Sequence, residues 1–149
     1  MKQDILDDLD KGIVHLLSKD GRMSFSEMAE RLEVTEKTIR TRFKNLIDND
    51  ILKVTGVVNP ISLGIKVVAI SQMSVANTHL QEVREALVKH PAIRFVTMTS
   101  GEYQLLIQSF HSTYDELTEF IKELHMINHI TKTNVIVQFE VYKNTFEYV

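Results

Sequence analysis

The chain has 149 residues, 44% of them hydrophobic and 25% charged, an ordinary globular composition with room for one large domain or two small ones. It contains no cysteine, which excludes disulfides, thiol catalysis and thiolate metal sites. The formal net charge of −3 excludes a uniformly cationic coat, so any polyanion must be met by a local patch. Hydrophobic runs are short, and four aspartates in the first ten residues are unlike a signal peptide, so a cytoplasmic chain with no membrane partner is expected.

A first helix is predicted over 8–18, with Asp7 as N-cap and Leu9, Ile13, Leu16 and Leu17 as its buried stripe. Gly12 inside it costs about 1 kcal/mol relative to alanine, so the helix must lean on packing. Gly21 is placed to close the last turn in the left-handed conformation. A second helix opens on Ser24 and Glu27 as a capping box, with Met28, Ala29 and Leu32 apolar. Only Glu33 and Val34 separate it from a third helix, which starts at Thr35 as N-cap with Glu36 in the first turn.

On that third helix Ile39, Phe43, Leu46 and Ile47 share one face. Lys37, Thr41 and Lys44 share the other, flanked by Arg40 and Arg42. Residues 31–46 hold Arg31, Lys37, Arg40, Arg42 and Lys44 against Glu33 and Glu36, a cationic segment in an acidic chain. The arrangement is that of a helix-turn-helix, whose second helix enters the major groove of double-stranded DNA. Lys37, Thr38, Thr41 and Lys44 are the expected base or adjacent phosphate contacts, with Arg40 and Arg42 on the backbone. Arg42 has a rival role in an intradomain ion pair. A solvated cationic face is the plainer alternative.

Asp48, Asn49 and Asp50 break the helix, and Ile51 to Val58 is β-rich enough for one or two short wing strands. Asn59-Pro60 and Gly64 mark a linker, giving a helix-turn-helix domain over 1–59, a linker over 60–65 and a second domain over 66–149. In the second domain, strands are predicted at Val67–Val75, Ile93–Thr99, Gln104–Phe110 and Thr133–Tyr142, with helices at His79–His90 and Tyr114–Met126. The order βαββαβ folds as a ferredoxin-like antiparallel sheet with both helices on one face. Either Val135/Val137/Phe139/Val141 or Ile136/Tyr142 is left on the far face, which a second copy of the chain would cover.

The chain resembles the Lrp/AsnC family of transcription regulators over nearly its whole length. The resemblance is carried by Leu6-Asp7-Asp8-Leu9-Asp10 with Ile13, by Asp20-Gly21-Arg22-Met23-Ser24, by Ile39 to Leu46, and by Ile51-Leu52-Lys53 with Gly64. It implies an α+β protein, an N-terminal winged helix-turn-helix plus a C-terminal ferredoxin-like, RAM-type domain. That domain would form homodimers, assemble four dimers into an octamer, and bind a small-molecule effector, commonly an amino acid. The effector loop would be Thr99, Ser100, Gly101, Glu102, Tyr103 and Gln104, with Thr133 from the last strand. Gln104 stands where the family pattern has an aspartate, and Val135 where it has a threonine. A different effector, a weak one, or none remain open.

No nucleophile motif or glycine-rich phosphate loop is present, so no enzyme and no cofactor are expected. Asp115, Glu116, Glu119 and Glu123 read as the solvated side of a helix. Among the six histidines, His125 and His129 are four apart, but Asn128 ends the helix between them and no metal site is expected. The alternatives to sequence-specific regulation are a metabolite-binding module and a DNA-compacting architectural protein.

Overall fold

The computed structural model describes residues 6–145; the start of the aspartate-rich segment and the last residues of the second domain lie outside the described residues. The chain divides into two compact units: the second spans Val58–Tyr142, and the first takes the chain before Val58 together with the residues from Lys143 on. In the first unit, three helices follow one another: α1 (Asp8–Lys19), α2 (Phe25–Arg31) and α3 (Glu36–Asp48). Each opens on a side-chain cap, Asp7, Ser24 and Thr35 accepting from the backbone N–H of Asp10, Glu27 and Thr38. The capping box at Ser24 is only half formed. Glu27 turns instead to Arg31 one turn on, at 2.8 Å, the better partner because it is charged.

Gly21 does not take the left-handed conformation expected of it. Asp20 leaves the helix in an extended conformation, and its carboxylate accepts from the Arg22 N–H at 2.9 Å, an Asx turn that makes a left-handed closure unnecessary. Gly12 has a packing reason: a Cβ there would lie 2.8 Å from Leu32 Cδ2, so α1 approaches the end of α2 closely. Ile13, Leu17, Met28, Ala29, Ile39 and Leu46 are buried together as the core of this unit.

The wing strands expected over 51–58 are not formed; among the described residues this run has no strand. A strand exists only through a hydrogen-bonded neighbour, and no residue of this unit pairs with the run among the described residues. Val57 and Val58 are exposed. A short 3-10 turn, Pro60–Leu63, follows, capped by Asn59 and closed by Gly64 at φ 81°.

The second unit is one antiparallel sheet in the order β2-β3-β1-β4, from β1 (Val67–Val75), β2 (Ile93–Met98), β3 (Leu105–His111) and β4 (Ile130–Gln138). The helices α4 (Leu80–Lys89) and α5 (Tyr114–Met126) pack on one face of it. Strand β4 begins earlier and ends earlier than Thr133–Tyr142, because its pairing with β1 runs only from Val75↔Ile130 to Val68↔Gln138. Burial alternates along β1 and β3. Val67, Ala69, Met73, Leu105 and Ile107 point to the helices and join Val83, Leu87, Leu117, Phe120 and Leu124 in the core. In β4 it is Val135 and Val137 that pack on this core, which leaves Ile136 on the opposite face.

Candidate nucleic-acid interface and effector loop

The buried stripe of α3 is Ile39 and Leu46. Phe43 is half-buried and meets Phe25 edge-on at 5.2 Å. The tight turn before α3 puts Glu33 at φ 55°, a left-handed backbone that lets the Val34 N–H reach the Ala29 carbonyl at 3.0 Å and fixes the angle between α2 and α3. That geometry turns the other face of α3 outward. Lys37, Arg40, Thr41 and Lys44 are exposed on it, and Thr38 is half-buried.

These side chains differ in how free they are. Lys37 and Lys44 have no ion-pair partner among the described residues. Thr41 donates its hydroxyl to the Lys37 carbonyl at 2.9 Å, and Thr38 shares a hydroxyl bond with Thr35 at 2.8 Å. Both retain acceptor lone pairs for an incoming donor. Arg40 bonds Glu36 at 2.6 Å and lies 4.7 Å over the Phe25 ring.

Arg42 is committed inward. Its Nη1 lies 2.7 Å from Asp7 and 3.2 Å from Asp10, whose side chain is only 10% exposed. The Asp10 N–H donates to Asp7, and this bond, with the Arg42 guanidinium, holds the Asp7 carboxyl below the usual carboxylate range. The same two carboxylates raise Arg42 further. The N-cap of α1 is thus tied to the middle of α3. The opening Asp7-x-x-Asp10 spacing supplies both partners of the intradomain ion pair expected of Arg42.

In the second unit, the loop between β2 and β3 closes on itself. The Thr99 N–H donates to the Gln104 carbonyl at 2.9 Å, the Thr99 hydroxyl donates to the Tyr103 carbonyl, and Gly101 turns the chain at φ 102°. Ser74 at the end of β1 donates to the Glu102 carbonyl at 2.6 Å. Gln104 is spent on the scaffold: its Oε1 accepts from the Val75 N–H at 3.0 Å, and its Nε2 donates to the Glu102 carbonyl at 3.3 Å. An aspartate, one methylene shorter and without a donor, could not make both bonds.

The charges on this loop come from Glu102 and from Lys132 of β4, which form an ion pair that raises the lysine pKa. The Lys132 ammonium also lies 5.6 Å over the Tyr103 ring. Ser100 is exposed at the tip, and Thr133 is half-buried opposite Met73. The structure therefore brings Thr99, Glu102, Tyr103 and Gln104 into one bonded loop facing Lys132, a neighbour outside the expected effector set.

Comparison with known proteins bears on both units. Residues 6–47 match the AsnC-type helix-turn-helix domain, and residues 68–148 match the Lrp/AsnC ligand binding domain. The HTH-type transcriptional regulator FL11 of Pyrococcus furiosus is 33% identical over 144 residues, covering 96% of this chain and 95% of that protein. Two solved structures share the fold. AsnC of E. coli superposes with a TM-score of 0.88 at 21% identity, over 94% of this chain and 96% of that one. A transcriptional regulator of Neisseria meningitidis, solved as its L-Met complex, superposes with a TM-score of 0.86 at 21% identity, over 95% of this chain and 94% of that one.

Proposed function

The chain belongs to the Lrp/AsnC family of helix-turn-helix transcriptional regulators, and from that premise we propose that α3 is the element that reads DNA, presented in pairs by a homodimer. The observation that carries the reading is the outward face of α3, where Lys37 and Lys44 stand exposed, with no ion-pair partner among the described residues, on either side of Thr41. Lys37, Thr38 and Thr41 lie toward the start of the helix, the end that reaches base edges in this motif, with Arg40 and Lys44 on the phosphates. Arg42 supports the helix from within through Asp7 and Asp10 rather than touching the backbone.

The dimer uses the open face of the sheet. Val68, Ile70, Leu106, Phe110 and Ile136 alternate with the helix-facing residues, and Phe95 and Ile136 are exposed at 51% and 45%. A second copy buries them and sets two α3 helices at half-sites one DNA turn, roughly 34 Å, apart. Assembly of such dimers into octamers, as the resemblance implies, would place the 99–104 loop near a neighbouring dimer. A small metabolite is taken there. With Gln104 bonded to its own scaffold, Glu102 and Lys132 are the charged groups left to meet a zwitterionic effector such as an amino acid. The neisserial regulator's L-Met complex is consistent with that chemistry class. No helix among the described residues is long and apolar enough to cross a membrane, and we assign the regulator to the cytoplasm.

The deciding experiment is a salt titration of binding to genomic fragments carrying footprinted sites. Lys44→Ala is expected to weaken binding at every site and to flatten the slope of log K against log salt by about one unit. An unchanged slope removes Lys44 from the interface, and binding insensitive to DNA sequence would favour compaction over regulation.

A further inference from the structure

The β1–α4 connection and the α5–β4 turn bring two histidines and a glutamate to one point at the end of the sheet. Val75 pairs with Ile130 at the last rung of the β1–β4 ladder. Just beyond it the Ala76 N–H donates to the His129 carbonyl at 3.3 Å, while the Ala76 carbonyl accepts from the His79 N–H at 2.8 Å. One residue at the strand end therefore anchors both histidines. Their rings are parallel, 2° apart in plane, with centroids 3.5 Å apart. Glu82, in the first turn of α4, places Oε2 3.3 Å from His79 Nδ1 and 3.9 Å from His129 Nε2. His129 is held at φ 73°, a left-handed conformation uncommon outside glycine.

We propose that His79, Glu82 and His129 form a binding site for a divalent transition-metal ion of the zinc type. Two imidazole nitrogens and a carboxylate oxygen are a donor set such ions prefer over calcium or magnesium. Bond lengths near 2.0–2.1 Å in a tetrahedral site put neighbouring donor atoms about 3.3 Å apart. The Glu82 distances of 3.3 and 3.9 Å lie close to that, and all three donor atoms fall within 4.8 Å of one another, a grouping found nowhere else among the described residues.

Lone pairs of stacked rings run parallel, so binding requires the imidazoles to turn toward a common point. Their side chains, 39% and 35% exposed, have room to do so. Without a cation, Glu82 Oε2 bonds only the His79 ring and stands 3.9 Å from the His129 ring; with one, three lone pairs meet a single divalent ion. A water would complete the tetrahedron. His125, still on α5 when that helix ends at Met126, takes no part.

The site is independent of the DNA-reading proposal, and cobalt(II) chloride is the probe. Titrating the 149-residue chain is expected to give saturable binding of one equivalent per chain, with visible d–d absorption that zinc chloride abolishes. His129→Asn keeps a residue that tolerates left-handed backbone, and Glu82→Gln sits at an exposed helix position. Each is expected to weaken binding by about tenfold or more, while His125→Asn leaves it unchanged. Absence of one-equivalent binding, survival of full affinity in Glu82→Gln, or an equal loss in His125→Asn would overturn the assignment.

Discussion

Arg42 sits on the flank of α3, where a helical wheel gives it to DNA, yet its guanidinium lies 2.7 Å from Asp7 and 3.2 Å from Asp10. Asp10 is the reason. Its side chain is nearly buried, and a carboxylate in that position is costly unless a cation meets it. Arg42→Met keeps most of the apolar stem but strands that carboxylate, and is expected to lower the thermal midpoint while leaving the salt slope of DNA binding unchanged. The Asp7 carboxyl has its folded pKa depressed, so it contributes stability at neutral pH that is lost as pH falls through the carboxylate range. Thermal melts of wild type and Asp7→Asn should therefore differ at pH 7 and converge on the acid side of about pH 4.

The turn between α2 and α3 stores a smaller cost. Glu33 at φ 55° holds a conformation that disfavours any side chain with a Cβ by about 1 kcal/mol or more. Glu33→Gly is expected to stabilise the fold by about 1 kcal/mol in urea denaturation, with DNA affinity intact because the angle between the helices is kept. In the sheet, the inward alternation of β3 carries Ser109 and His111 under α5, where the His111 Nε2 and the Ser109 hydroxyl are 3.0 Å apart and the ring lies 5.0 Å from Phe120. Burial holds that imidazole below its ordinary pKa, which favours its neutral form. The run at 51–58 makes the opposite point: its β-rich composition gives no strand among the described residues, where it has no pairing partner.

For the homodimer proposed above, the open face of the sheet is the decisive surface. Ile136 pairs with Ile70 across β4 and β1, at the centre of the apolar positions left uncovered by α4 and α5. Ile136→Glu puts a charge into the proposed dimer contact. Light scattering should then report half the wild-type particle mass or less, and DNA affinity should fall by roughly 100-fold because two tethered reading heads become one. A dimer that survives Ile136→Glu would mean that another surface holds the subunits together.

Periodicity by itself determined a great deal. The three caps, the 3.6-residue stripes of the helices and the period-2 runs of the second domain state which elements form and in what order, because these signals depend on near neighbours in the chain. The cationic face of α3 was legible for the same reason. What only the tertiary structure decided are the long-range pairings: Arg42 with Asp7 and Asp10, Gln104 with Val75, Lys132 with Glu102, His79 with His129. Each joins residues from different elements, and which of them come within hydrogen-bond reach is set by strand register and helix packing, quantities that no local pattern of residues contains.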